Sequence, residues 1–263
     1  MPANGAEWTT GASAGIRAIL FDLGETLLDT GGIEPDFEEW DRRDFGAVHA
    51  YLEETSLKLP PWETFYQVMS RLLNGEWEQA RLSQRGVNIS DILRDGFSEL
   101  GIPLAEVEMG QCLRRHYRWC DESAILYPDV LPALTAFRRQ GLRLGLISNT
   151  IWPACCHDET LARLGVRDLL DVRLYSADVG YQKPHAAIFR LALNALGVNP
   201  RQAVFVGDRL ASDVAGAQRM GMKGVLRIVP YRREKGTAIV PDVCITTLAE
   251  LLETLERSDV ETL

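Results

Sequence analysis

Long apolar runs are missing from this chain: no uninterrupted stretch approaches the roughly 20 residues that a membrane-crossing helix needs. Basic runs are missing too. The net charge is −9, with acidic and basic residues interspersed, which argues against a nucleic acid polymer or an anionic membrane as partner. Cysteine is sparse; Cys112, Cys120, Cys155, Cys156 and Cys244 are odd in number and show no C-x-x-C spacing. That usage suits free thiols in a reducing compartment and predicts a cytoplasmic protein. Residues 1–15 lack a charged start followed by an apolar core, so they read as a flexible tail and not a secretory leader. Internal repeats are also absent. What remains is an ordinary globular composition, 46% hydrophobic and 25% charged over 263 residues. Such a chain is long enough for one large domain or two modest ones without disulfide staples. Its acidic balance leaves small phosphates open as ligands.

Two textures alternate along the chain. Ile16 to Phe21 is a short apolar run that reads as a buried parallel strand, ending abruptly in Asp22. From about Glu34 to Ser123 the pattern turns helical, with a first stripe of Phe37, Trp40, Phe45, Val48 and Leu52. Pro60 and Pro61 break it, and Pro61 opens a second helix through Phe65, Val68, Met69 and Leu72. Ser90 reads as the N-cap of a third helix, Asp91 to Leu100, and a fourth runs from Leu104 to about Trp119. Beyond Tyr127 short apolar strands return, at Leu142–Ile147, Val172–Tyr175, Ala203–Val206, Val225–Val229 and Val243–Thr246. They alternate with helices at Leu131–Gln140, Asp158–Leu164, Ala186–Leu196, near Asp213, and Leu248–Leu255. Strand–helix alternation predicts an α/β fold with a parallel, Rossmann-like sheet. The expected division is a core of 16–32 and 124–257, an all-helical insert over 33–123, and a short tail at 258–263.

Polar groups gather where the apolar strands end. Asp22, Ser148 and Asp208 each follow one, and Lys183 lies in a loop between the last two. In a parallel sheet the carboxyl ends share an edge, so these groups can converge. Carboxylates from different strands make a hard oxygen site suited to Mg²⁺. Hydroxyl and ammonium donors suit a phosphoryl group, and an ionised Asp can attack phosphorus. The alternative is that Asp22 only caps the segment after it.

Four motifs in order carry a family resemblance: Phe21-Asp22-x-x-x-Thr26-Leu27, Ile147-Ser148-Asn149, Lys183-Pro184-x-x-x-Ile188-Phe189, and Val206-Gly207-Asp208 with Asp213. With Gly216-Ala217-x-x-x-Gly221-Met222 downstream, the chain resembles the haloacid dehalogenase-like (HAD) hydrolase superfamily from Ile16 to about Val229. A helical insert between the first and second motifs resembles its C1 type of cap. The resemblance implies a Mg²⁺-dependent phosphatase of a small phosphorylated metabolite. Asp22 is then the nucleophile, forming an aspartyl-phosphate, and a metal ligand. Asp208, Asp213 and the backbone carbonyl of Gly24 hold the same metal. Ser148 and Lys183 hold the transferring group, with Thr26 and Asn149 lining it.

One departure bears on chemistry. Phosphatases of this superfamily carry a second Asp two residues after the nucleophile as general acid and base. Here that position is Gly24, and Glu25 stands where a Gly is usual. General acid–base help is typically worth roughly 10²–10⁴-fold, most of it on poor leaving groups. Three accounts are open: Glu25 supplies the acid, the substrate has a good leaving group, or the chemistry is not phosphoester hydrolysis. Within the third, haloacid dehalogenases place an aromatic residue at position 24, and phosphonatases use a cap lysine, for which Lys58 is the single candidate in the insert. A member kept only for binding a ligand or a protein is the non-enzymatic alternative.

Other signals are weaker. Cys112, His116 and Cys120 share a helix face but lack a fourth zinc ligand. Cys155-Cys156-His157 lacks a third orienting group for thiol catalysis. Trp40, Trp62, Trp77 and Trp119 are expected to pack between helices of the insert. Asp29, His185 and Arg209 are read as local hydrogen-bonding or solvated groups.

Overall fold

The computed structural model describes residues 15–29, 37–103, 106–230 and 238–260. The expected tail 1–15 therefore lies, apart from Gly15, outside the described residues.

A fully buried apolar run, Ala-Ile-Leu-Phe, forms β1 (Ala18–Phe21), and side chains alternate across it. Ile19 and Phe21 enter one apolar cluster, Ala18 and Leu20 another. Both faces are covered, which is why the strand reads as continuous hydrophobicity. β1 is central in a six-stranded sheet of order β5-β4-β1-β6-β7-β8. The others are β4 (Arg143–Ser148), β5 (Val172–Tyr175), β6 (Ala203–Gly207), β7 (Lys223–Arg227) and β8 (Val243–Ile245), with every pairing parallel. Helix α5 (Val130–Arg139) and helix α10 (Leu248–Val260) cover one face through Leu134, Phe137, Leu248 and Leu251. Helix α8 (Ala186–Leu196) and helix α9 (Ala215–Arg219) cover the other through Ile188, Phe189 and Ala217. The fold is the expected α/β arrangement with a Rossmann-like parallel sheet. No helix among the described residues is long and apolar enough to cross a membrane.

Between β1 and β4 the chain builds α1 (Phe37–Glu53), α2 (Trp62–Ser83), α3 (Ile89–Glu99) and α4 (Glu106–Ser123). These have an apolar cluster of their own, including Phe45, Leu52, Phe65, Met69, Leu93, Phe97 and Cys112. Short strands β2 (Leu28–Asp29) and β3 (Ile125–Leu126) pair antiparallel at its root, a ladder too short for a sequence pattern to mark.

Several boundaries move for local reasons. Helix α3 is capped by the Asn88 side chain accepting from the Ser90 N–H, so it starts at Ile89 and not after Ser90. Helix α4 runs on to Ser123, four residues past Trp119. Helix α6 (Ala154–Arg163) starts directly after Pro153, ahead of the expected Asp158. Helix α10 continues to Val260, into the segment expected as a tail; 261–263 lie outside the described residues.

Candidate active site

Asp22 sits one residue beyond β1, where its backbone N–H donates to Val206 O at 2.9 Å and so ties the strand end to β6. Ser148 ends β4 and is buried. Asp208 follows β6 and is buried as well. Asp213 lies on a π-helical turn, Leu210–Val214, that folds back over the end of β6. This return requires Gly207: a Cβ built there would lie 2.5 Å from the Asp213 carboxylate. Asp213 is then fixed by the Arg209 N–H at 3.0 Å and the Ser212 hydroxyl at 3.2 Å.

Lys183 reaches this edge from the loop between α7 (Ser176–Val179) and α8. Asn149 clamps that loop, accepting the Lys183 N–H at 2.7 Å and donating to its carbonyl at 2.8 Å. The buried ammonium donates to Asp22 Oδ1 at 2.5 Å and lies 2.9 Å from Asp213 Oδ1. Burial works against its charge, but the Asp213 and Asp22 carboxylates outweigh that and hold Lys183 protonated. Burial pushes the Asp22 carboxyl up, and Lys183 pulls it back towards the ionised form.

Oxygens of Asp22, Asp208 and Asp213 all lie within 4.8 Å of one another. Three carboxylates converging in a largely buried site are hard oxygen donors, a set that fits a divalent, oxygen-seeking cation. Thr26 lies on the same turn as Asp22; it is fully buried, and its hydroxyl makes no hydrogen bond to any described residue.

Gly24 is held by an isolated bridge to Leu28. Glu25 takes an unusual backbone conformation. Its φ of 60° lies in the left-handed region, its side chain is buried, and Tyr127 Oη donates to its Oε2 at 2.8 Å. Tyr127, Asp129 and Arg227 surround this turn and were not foreseen from the sequence; the one hint was the Tyr-Pro-Asp start of the second core segment.

The weaker signals resolve into packing. His116 is buried, with its Nδ1 accepting from Trp152 Nε1 at 3.1 Å, and burial lowers its pKa to about 3. His157 lies between Tyr117 Oη (2.9 Å) and Thr150 Oγ1 (2.8 Å), and burial lowers it to about 4. Burial pushes the Cys120 thiol up to about 12 and raises Cys156 further, which disfavours either thiolate. Trp40 and Trp119 pack 5.4 Å apart, whereas Trp77 is exposed and does not pack between helices as expected. Lys58 is exposed, and His185 caps α8 by accepting from the Ala187 N–H. Among the described residues, the site trio is the group placed to hold a metal.

A parallel sheet that gathers Asp22, Ser148, Lys183, Asp208 and Asp213 along one edge is the frame on which the comparisons with known proteins fall. The chain belongs to the haloacid dehalogenase-like hydrolase family, which it matches over residues 16–221. It is 38% identical over 252 residues to the phosphoserine phosphatase of Thermus thermophilus, covering 90% of this chain and 98% of that one. It is also 38% identical over 134 residues to the glyceraldehyde 3-phosphate phosphatase of Methanopyrus kandleri, covering 50% of this chain and 57% of the relative. The crystal structure of a 2-haloacid dehalogenase from Pseudomonas syringae superposes with a TM-score of 0.64 at 26% identity, covering 92% and 99%.

Proposed function

We propose that this protein is a Mg²⁺-dependent phosphatase of a small phosphorylated metabolite that works through an aspartyl-phosphate on Asp22. The observation that carries the proposal is the contact of Lys183 with both Asp22 and Asp213, inside a trio of convergent carboxylates. Lys183 offsets part of the burial cost of ionising Asp22 and balances charge on an incoming phosphate. An Asp22 oxygen attacks phosphorus, and the bond to the leaving oxygen breaks. Water then attacks the phosphorus of the acyl phosphate, releasing inorganic phosphate and restoring the carboxylate. Asp22, Asp208, Asp213 and the Gly24 carbonyl are the groups that would hold Mg²⁺. When bound, it neutralises phosphoryl charge and orients the substrate. Ser148 and Thr26 donate to phosphoryl oxygens, and Asn149 keeps Lys183 in reach. The helical block 33–123 acts as a cap over the core of 16–32 and 124–257, excluding water and choosing the substrate. The phosphatase names of the two relatives support a phosphate ester as substrate.

The test is phosphate release from aryl, acyl and alkyl phosphates with Mg²⁺ and with EDTA, using Asp22→Asn as control. Release that requires both the metal and Asp22 is the expected result; no release from any phosphate overturns the proposal. The likeness to a 2-haloacid dehalogenase motivates a second reading, which halide release from a 2-chloroacid checks in parallel. The carboxylate trio weighs for the phosphatase.

A further inference from the structure

Glu25 poses a structural problem as well as a chemical one. A side chain at φ 60° is strained relative to the right-handed region, a strain that Gly avoids. Something must hold Glu25 there.

The surroundings supply it. Tyr127 Oη donates to the Glu25 carboxylate at 2.8 Å, and the Tyr127 N–H donates to Leu27 O at 3.1 Å. The Arg227 guanidinium, only 3% exposed, stacks on the Tyr127 ring at 4.3 Å. The same guanidinium donates to Thr26 O at 3.0 Å and to Asp129 Oδ1 at 2.8 Å. Asp129 Oδ2 in turn accepts the Leu248 N–H, at the start of α10, at 2.7 Å. Backbone links inside the turn add to this: Glu25 N–H to Leu28 O at 2.7 Å, and Leu27 and Leu28 N–H to Leu23 O at 2.8 and 2.9 Å.

We propose that Glu25, Tyr127 and Arg227 are positioning residues, a buckle that holds the Asp22–Leu28 turn in its reactive shape, and that Glu25 is not the missing general acid. The proposal rests on the phosphatase reading for its kinetic consequences, though not for the buckle itself. The turn carries Asp22, the Gly24 carbonyl and the Thr26 hydroxyl together, so a shift of the turn misplaces all three. With Glu25 occupied by Tyr127 and no side chain at Gly24, the turn offers no acid to a leaving oxygen. The preferred substrate class is then phosphates whose leaving group departs without protonation, namely acyl phosphates, phosphoanhydrides and aryl phosphates.

The experiment compares wild type, Glu25→Gln, Glu25→Ala and Tyr127→Phe on substrates of graded leaving-group pKa, and follows amide hydrogen exchange at Thr26–Leu28. Glu25→Gln keeps an acceptor for Tyr127 but cannot donate an acid proton. Glu25→Ala keeps the backbone cost, and Tyr127→Phe keeps the ring under Arg227. Expected is wild-type-like turnover for Glu25→Gln on every substrate. Tyr127→Phe and Glu25→Ala should each lose about tenfold in kcat/KM, uniformly across leaving groups, with faster exchange in the turn. A loss in Glu25→Gln that grows with leaving-group pKa overturns the proposal, because it marks Glu25 as the acid. Unchanged exchange in both Tyr127→Phe and Glu25→Ala overturns the buckle. If wild type releases no phosphate, the phosphatase reading fails by itself, and the exchange data still decide whether the buckle exists.

Discussion

Two glycines at the site make opposite demands. A Cβ built on Gly24 meets nothing within 4 Å, and its backbone lies outside the left-handed region. Gly24→Asp is therefore expected to fold normally and to raise turnover of alkyl phosphates relative to aryl ones by about 10²-fold; the ratio of the two kcat/KM values measures it. Gly207 has no such room. Gly207→Ala sets a methyl 2.5 Å from the Asp213 carboxylate, and displacing that group should weaken Mg²⁺ affinity about 10–100-fold, read as a raised half-saturating Mg²⁺ concentration in phosphate release. Asp22 and Asp208 were legible in the sequence because each follows an apolar run at a strand end, and parallel strands end on one edge, whereas Asp213 was legible only through the motif that it shares with Asp208. Glu25 was legible as an oddity but not as a structural group. Its partner Tyr127 is 102 positions away, and nothing in the local pattern says which face of the turn a carboxylate takes.

One contact between the helical block and the core runs through the loop of residues 84–89. The Gly86 N–H donates to Gly180 O at 3.0 Å, the Gln182 N–H to Gln84 O at 3.0 Å, and the Ile89 N–H to Ile151 O at 2.8 Å. The Asn88 amide adds a bond to Ala177 O at 3.0 Å. Gln182 precedes Lys183, and Ile151 follows the Ser148–Thr150 segment, so the loop touches both chain segments that carry phosphate-binding candidates. A Cβ at Gly86 would fall 1.8 Å from the Ser176 carbonyl oxygen, which is backbone and cannot swing away. Gly86→Ala is expected to part this contact, giving faster protease cleavage in 84–89 and a fall of about tenfold in kcat/KM. At this scale the sequence serves well where periodicity and breakers agree: β5 and α8 occupy the residues expected of them. It serves less well where a side chain sets the boundary, as Asn88 does for α3, or where pairing is long-range, as between β2 and β3. The π-turn that presents Asp213 has no periodic signature at all; it follows from the space that Gly207 leaves.

Across the whole molecule, the buried histidines make folding sensitive to acid. The His157 pKa falls from 6.5 to about 4 because burial disfavours the charged ring. The unfolded chain therefore takes this proton first, and stability is lost as pH falls from 6.5 towards 4, by about 3 kcal/mol from this group. Asp41, pushed up to about 6 by burial and by Asp44, acts in the opposite sense over the same window. The His157 contribution is isolated by difference: between pH 7 and pH 4.5, His157→Gln should lose less of its urea midpoint than wild type does. Equal losses would show that His157 does not set the acid response. His157 bridges Tyr117 of α4 and Thr150 beside the site, so the same proton loosens the seat of the helical block. That block has one more property. The β2–β3 pair sets Asp29 directly opposite Ile125, so the chain departs for the helices and comes home through a single doorway. Ends so placed can accept a helical block of another length or shape without re-threading any strand of the sheet, so on this plan the insert can be exchanged as a cassette while the residues at the strand ends stay where they are.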